Sequence, residues 1–275
     1  MKLNVWSNAD RQIFAAVAPV VGALSGTVPA GQIMLVGAQC RDLLHWRFGC
    51  GSPLRSTNDT DIAVALRNWD QFDSLRERFP SIGYSGHRFR IEGIITDVIP
   101  FGGVETPRGI STRPHGTHEL NVHGFSDAFE RADELPISDE VAIRIPSAAG
   151  YAILKTQAWL DRSASYDYKD DPDLALAVYW YAQDPERVYE AANEWALELH
   201  DFDHLQAASA LLGEDMRNGL SPDELATLSA GVASADRDLL AEHFAVGRPG
   251  WPGSGAARRP LVDAVFDQII GGHVQ

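Results

Sequence analysis

Hydrophobic and polar positions change period several times along this chain, and each change predicts an element. Apolar residues recur at helical spacing from Ile13 to Leu24, with Ser7 or Asn8 as cap candidates. The apolar run Gln32 to Val36 predicts a strand that stops at Gly37, and Gln39 to Phe48 predicts a helix. A Gly/Pro/Ser turn then leads to a strand over Asp59 to Ala65. Trp69 to Phe79 reads as an amphipathic helix halted before Pro80. His87 to Ile91 and Ile94 to Ile99 read as strands joined around Gly93, a hairpin. Gly102 to His118 is rich in Gly, Pro and Thr and predicts a loop; Val141 to Ile145 alternates as a short strand.

Beyond Pro146 the period becomes helical. Helices are expected over Ser147 to Arg162 and over Asp173 to Ala182, with Asp170 and Asp171 as start signals and Pro172 near the first turn. Glu186 to Leu199, Phe202 to Leu212 and Pro222 to Val232 continue the pattern. Val246 to Pro260, with four Gly and three Pro, predicts a loop before a last helix from Leu261 to Ile270. The fold class expected is α+β: a mixed sheet flanked by helices in residues 1–145, then an acidic helical part in residues 146–275.

Composition adds limits. At 275 residues and 45% hydrophobic, the chain can bury a sizeable core. No apolar stretch is long enough to cross a membrane, and the opening Met1 to Trp6 has no signal-peptide core. Cys40 and Cys50 give no disulfide framework, so a reduced, cytoplasmic setting is expected. The net charge of −15 is uneven: Gln183 to His243 holds 14 acids and 3 bases, −11 of the total. Such a balance disfavours broad nucleic-acid binding. The cations Arg41, Arg47, Arg55, Arg88, Arg90, Lys155, Arg162 and Lys169 leave room for a local phosphate pocket.

The candidate chemistry lies in Arg55-Ser56-Thr57-Asn58-Asp59-Thr60-Asp61-Ile62-Ala63-Val64. Strand alternation puts Asp59 and Asp61 on one face and Thr60, Ile62 and Val64 on the other. Asp97 lies in a second apolar strand, between Ile95 and Ile99. Three carboxylates on neighbouring strands repel unless a cation holds them, and hard oxygen ligands suit Mg²⁺ with substrate phosphates. Gly37 opens a helix after a strand, where free N–H groups favour phosphate. Arg41 is one turn on, able to meet phosphate or to form an ion pair; Thr57 can donate to phosphate or close a turn. Lys155, Trp159 and Arg162 share one helix face, and a Lys in so apolar a run must snorkel or meet an anion. His115, His118 and His123 lack the companions of a zinc site and read as solvated. Trp180, Tyr179, Tyr181 and Trp195 read as packing groups.

Gly37, the Asp59/Asp61 pair and Asp97, in that order, resemble the nucleotidyltransferase superfamily with the DNA polymerase β-like catalytic fold. Ala38 stands where Gly or Ser is usual in that pattern, which leaves its backbone N–H for phosphate. The long interval before Asp59, and Lys155…Arg162…Lys169-Asp170-Asp171-Pro172-Asp173-Leu174, are similar to the AbiEii-type abortive-infection toxin nucleotidyltransferases; the likeness spans Ile33 to Leu174 and, more loosely, Leu211 to Asp215. The resemblance implies a nucleotidyltransferase sheet whose nucleotide site the helical part completes. It implies transfer of a nucleoside monophosphate from an NTP to an acceptor hydroxyl. Two Mg²⁺ would be held by Asp59, Asp61 and Asp97, with Lys155 also catalytic. Gly37, Ala38, Arg41, Thr57, Lys155, Arg162, Lys169 and Asp170 would bind nucleotide, and Asp173 would order the two segments. The acceptor is RNA such as a tRNA 3′ end, a protein, or a small molecule, and a cognate antitoxin is a possible partner. An aminoglycoside-type nucleotidyltransferase and a non-catalytic nucleotide-binding relative are the alternatives.

Overall fold

The computed structural model describes residues 15, 17–50, 59–114 and 118–272. The chain divides into two compact units, Met1–Ser147 and Ala148–Gln275. Among the described residues, no helix is long and apolar enough to cross a membrane. The first unit is α+β, with a mixed six-stranded sheet flanked by helices.

The sheet runs β3 (Arg88–Ile91), β4 (Ile94–Gly102), β2 (Asp59–Leu66), β1 (Ile33–Val36), β8 (Ala142–Ile145), β7 (Asp133–Pro136). β1 (Ile33–Val36) is buried at every position, as expected of a strand covered on both faces. It pairs antiparallel with β2 (Asp59–Leu66) and parallel with β8 (Ala142–Ile145). β2 pairs parallel with β4 (Ile94–Gly102), and β4 pairs antiparallel with β3 (Arg88–Ile91). The β3–β4 hairpin turns at Glu92 and Gly93, both at positive φ (49° and 83°), the twist that a two-residue connection favours. Pro100 sits in β4 beyond the paired reach of β3. Val98 still donates to His87 O at 2.8 Å, so Pro100, two residues on, faces the edge β3 has left and needs no donor there.

Helix α1 (Ala18–Leu24) ends the opening helical pattern; Ser7, Asn8 and Ile13 lie outside the described residues. Helix α2 (Gly37–Arg47) follows β1 with no intervening residue, two residues earlier than the expected start at Gln39. Helix α3 (Trp69–Arg78) is capped by the Asn68 side chain, which accepts from Gln71 N at 3.3 Å.

The expected loop from Gly102 to His118 is more structured than its composition suggests. β5 (Ile110–Thr112) pairs with β6 (Glu119–Asn121) in a separate two-stranded sheet. The Glu105 carboxylate anchors the bend before it, accepting from Gly102 N at 2.7 Å, Gly109 N at 2.8 Å and Ser126 Oγ at 3.2 Å. Helix α4 (Phe125–Glu130) and edge strand β7 (Asp133–Pro136), both unanticipated, return the chain to β8.

The second unit is helical. Helix α5 (Ala148–Ser163) precedes α6 (Asp171–Ala182), which is buried over most of its surface and so forms the unit's centre. The single helix expected over Glu186 to Leu199 is broken into α7 (Pro185–Val188), a 3₁₀ turn (Ala191–Asn193) and α8 (Glu194–Leu199). The Asn193 side chain donates to Arg187 O at 2.8 Å, taking the carbonyl that an unbroken helix would give to residue 191. Helices α9 (His204–Asn218), α10 (Pro222–Ala233) and α11 (Arg237–His243) follow, and α12 (Gly255–Gly271) closes the chain. α12 begins six residues before the expected Leu261, because Ser254 caps it by accepting from Ala257 N and it carries Pro260 inside its length. A Cβ on Gly213 of α9 would overlap the Val265 carbonyl of α12, so this glycine permits the close crossing.

Candidate functional site

The candidate site is a row of side chains across the sheet of the first unit. In register, Arg88 of β3 stands beside Asp97 of β4, Asp97 beside Asp61 of β2, and Asp61 beside Val36 of β1. Neighbours in one register point to the same face, and Asp59, two residues from Asp61, shares it. The other face holds Thr60, Ile62, Thr96 and Val98, all buried. The buried residues of the other face thus fix which way the carboxylates point, because a one-residue slip would bury Asp59 and Asp61 if β2 moved and Asp97 if β4 moved.

Two features of the β1–α2 junction hold it against β2. Gly37 has φ +65°, and a Cβ there would overlap the Asp61 carboxylate. Gly37 is therefore required both for the turn and for the approach of Asp61 to the backbone. Gln39, in the first turn of α2, donates from Nε2 to Asp59 O at 2.7 Å and Thr60 Oγ1 at 3.2 Å, tying the helix start to β2.

Arg88, counted in the sequence only as one of several nearby cations, reaches from the end of this row to span two of its acids. Its Nη2 lies 2.9 Å from Asp59 Oδ2 and its Nη1 3.3 Å from Asp97 Oδ2. Burial raises the Asp97 pKa above the ordinary carboxylate value; Arg88 pulls it down and Asp59 pushes it up further. Among the described residues, no group of three His, Cys, Asp or Glu is already gathered as a metal cage. Asp59, Asp61 and Asp97 face one way, with the Arg88 guanidinium spanning two of them, and are the residues whose oxygens could hold a hard divalent cation.

The other residues singled out in the sequence fall as follows. Ala38 lies in the first turn of α2. Arg41 is buried and forms an ion pair with Asp42 at 2.7 Å, the structural alternative to phosphate contact. Thr57, Arg55 and His115 lie outside the described residues. The ring of His123 packs beneath Gly109.

In the second unit, Lys155 meets anions rather than snorkelling. Its Nζ lies 2.9 Å from Asp170 Oδ1 and 2.7 Å from Asp173 Oδ2, while Arg162 Nη1 lies 2.6 Å from Asp170 Oδ2. Both acids are buried, and Asp170 makes no side-chain cap. Lys169 is exposed and pairs with Asp167 at 3.1 Å. Burial pulls the Lys155 pKa down, but Asp173 and Asp170 more than reverse that, so it stands above the usual lysine value. Burial opposes ionisation of Asp170, and Lys155 and Arg162 outweigh it, so its pKa is lowered. The network therefore contributes across neutral pH. It fades below the ordinary carboxylate value as Asp170 protonates, and at strongly alkaline pH as Lys155 deprotonates. Removing the ammonium would take from Asp173 its lysine and leave Asp170 with Arg162 in place of two cations. Lys155→Met should cost about 3 kcal/mol in urea unfolding at pH 7.

Asp171, at the start of α6, behaves oppositely. It is fully buried, and neither carboxylate oxygen has a hydrogen bond of normal geometry. Burial raises its pKa to about 7. Its own backbone N–H and the Trp159 indole offset only part of this, and Asp170 and Asp167 push it higher. Between its ordinary value and about 7 the folded state holds a proton the unfolded state has lost, so stability falls as pH rises through that window. Asp171→Asn should remove this slope and stabilise the protein at pH 8 by about 2 kcal/mol. Melting curves of both proteins from pH 5 to pH 8 check it; parallel profiles would count against a protonated Asp171.

No family model matches this chain, and no curated protein matches it either.

Proposed function

We propose that the protein is a metal-dependent nucleotidyltransferase, transferring a nucleoside monophosphate from an NTP to an acceptor hydroxyl, with RNA or protein as acceptor in the manner of a toxin of a toxin–antitoxin pair. The observation that carries this reading is the shared face of Asp59, Asp61 and Asp97 beside the glycine-opened start of α2. Three acids on one half-buried face are an unfavourable arrangement for a scaffold and a favourable one for a hard cation with phosphate.

Asp59, Asp61 and Asp97 would hold Mg²⁺. When bound, the ions supply a polarised acceptor oxygen and neutralise charge on the leaving pyrophosphate. The residues of the chain do the rest. Asp61, seated against Gly37, fixes the ligand set relative to the helix start. Gly37 and Ala38 present first-turn N–H groups, which suit phosphate oxygens. As the acceptor oxygen bonds to the α-phosphorus and the bond to pyrophosphate breaks, Asp97 stands on the same face to take the hydroxyl proton.

The test is incubation of the full chain with each α-labelled NTP and Mg²⁺, offering total RNA, protein extract and aminoglycosides as acceptors. Label in RNA or protein that EDTA abolishes is the expected result. Label in aminoglycosides alone would replace the toxin reading with that of a small-molecule enzyme, and no label in any acceptor would overturn the transferase reading.

A further inference from the structure

Arg88 raises a question that the transferase reading leaves open, since it occupies the ground a divalent cation would need. Its two guanidinium nitrogens reach different carboxylates, Asp59 on β2 and Asp97 on β4, and so span the strand pair. We infer that Arg88 is a displaceable internal counter-cation: it holds the carboxylate face closed in the absence of substrate, then yields to metal and turns its fork onto the triphosphate. The inference rests on the transferase reading of this same face.

Exposure decides between a latch and a permanent brace. The side chains of Arg88, Asp59 and Asp97 are 38%, 34% and 30% exposed. Ion pairs so open to water are worth little each and exchange readily. The Lys155 network of the second unit makes the contrast, with Asp170 and Asp173 only 1% and 2% exposed and held as fixed structure. Once displaced, Arg88 keeps a flexible stem and a planar donor fork suited to phosphate oxygens. Beyond β3, Ser81 bridges to Phe89 and Ile82 donates to Arg88 O at 2.7 Å, so the Arg88 backbone is held in place while its half-open side chain keeps room to turn.

The experiment is titration of the full chain with Mn²⁺ alone, read by electron paramagnetic resonance of the free ion, in wild type, Arg88→Met, Arg88→Lys, Asp61→Asn and the double variant Arg88→Met/Asp61→Asn. Melting in EDTA, expected to move by only a few degrees, checks that each variant is folded. Arg88→Met should bind Mn²⁺ about tenfold more tightly than wild type, which corresponds to about 1.4 kcal/mol. Arg88→Lys should fall between, because one ammonium cannot bridge both acids, and the double variant should lose the gain. With a non-hydrolysable triphosphate added, nucleotide binding should weaken in Arg88→Met despite the better Mn²⁺ site. Unchanged or weaker Mn²⁺ binding in Arg88→Met, with binding still dependent on Asp61, would make Arg88 a brace and leave the transferase reading standing. Absence of any Asp61-dependent Mn²⁺ binding would sink the transferase reading and this inference together.

Discussion

Asp61→Asn is expected to reduce nucleotidyl transfer at least about 10³-fold, equivalent to about 4 kcal/mol of transition-state stabilisation, while the protein melts within a few degrees of wild type. Asn keeps the shape of the side chain against Gly37, so the backbone contact survives. What it loses is the negative charge and one hard oxygen. Asp61 lies between Asp97 and β1 in the register row, so it is the acid nearest the start of α2. Initial rates with labelled NTP, beside a thermal melt, make the measurement. Transfer at the wild-type rate in a folded Asp61→Asn protein would move the chemistry away from this face.

How far this arrangement could be read from the sequence depends on the residue. In Asp-Thr-Asp-Ile-Ala-Val the two acids stand two residues apart, and the two-residue repeat of a strand gives them one facing whatever the neighbouring strand does. Asp97 followed from the same rule, but its alignment with Asp61 needed the parallel pairing of β2 with β4, which no local pattern encodes. Arg88 was more accessible than it looked. With Glu92 and Gly93 as the two turn residues, counting outward pairs Ile91 with Ile94 and so Arg88 with Asp97. Its reach to Asp59 depends on side-chain packing across a strand and was not legible.

Gaps elsewhere have local causes. Helix α4 and strand β7 span only six and four residues, too few for a period to stand out. Composition misled at α12, where Gly255 and Pro260 resemble loop residues but lie within a helix capped by Ser254 and packed closely against α9 at Gly213. Lys155 and its apolar surroundings called for an anion. The sequence offered phosphate, and the structure supplies Asp170 and Asp173 within the same unit. A lysine that stabilises buried carboxylates and one that holds a ligand look alike in sequence, because both need an apolar helix face and a nearby charge.

Gly37→Ala tests the other half of the site and is expected to have the largest combined effect. Two costs coincide at this residue. Alanine at φ +65° is strained by about 1 kcal/mol. Its methyl group would also occupy the space of the Asp61 carboxylate, and relieving such an overlap by shifting packed groups costs typically 1–3 kcal/mol. Neither partner moves cheaply: Gly37 joins a fully buried strand directly to α2, and Asp61 belongs to a strand paired on both sides. Urea unfolding should therefore show a loss of about 3 kcal/mol. Transfer should fall at least as far as in Asp61→Asn, because the carboxylate is driven from its place while the first-turn N–H groups are also displaced. The double variant Gly37→Ala/Asp61→Gly separates the two costs. Removing the carboxylate should recover the overlap portion of the stability and leave the φ strain, with transfer still absent. If Gly37→Ala alone retains wild-type stability and rate, then Asp61 does not rest against the Gly37 backbone, and the junction of β1 and α2 is not part of the site.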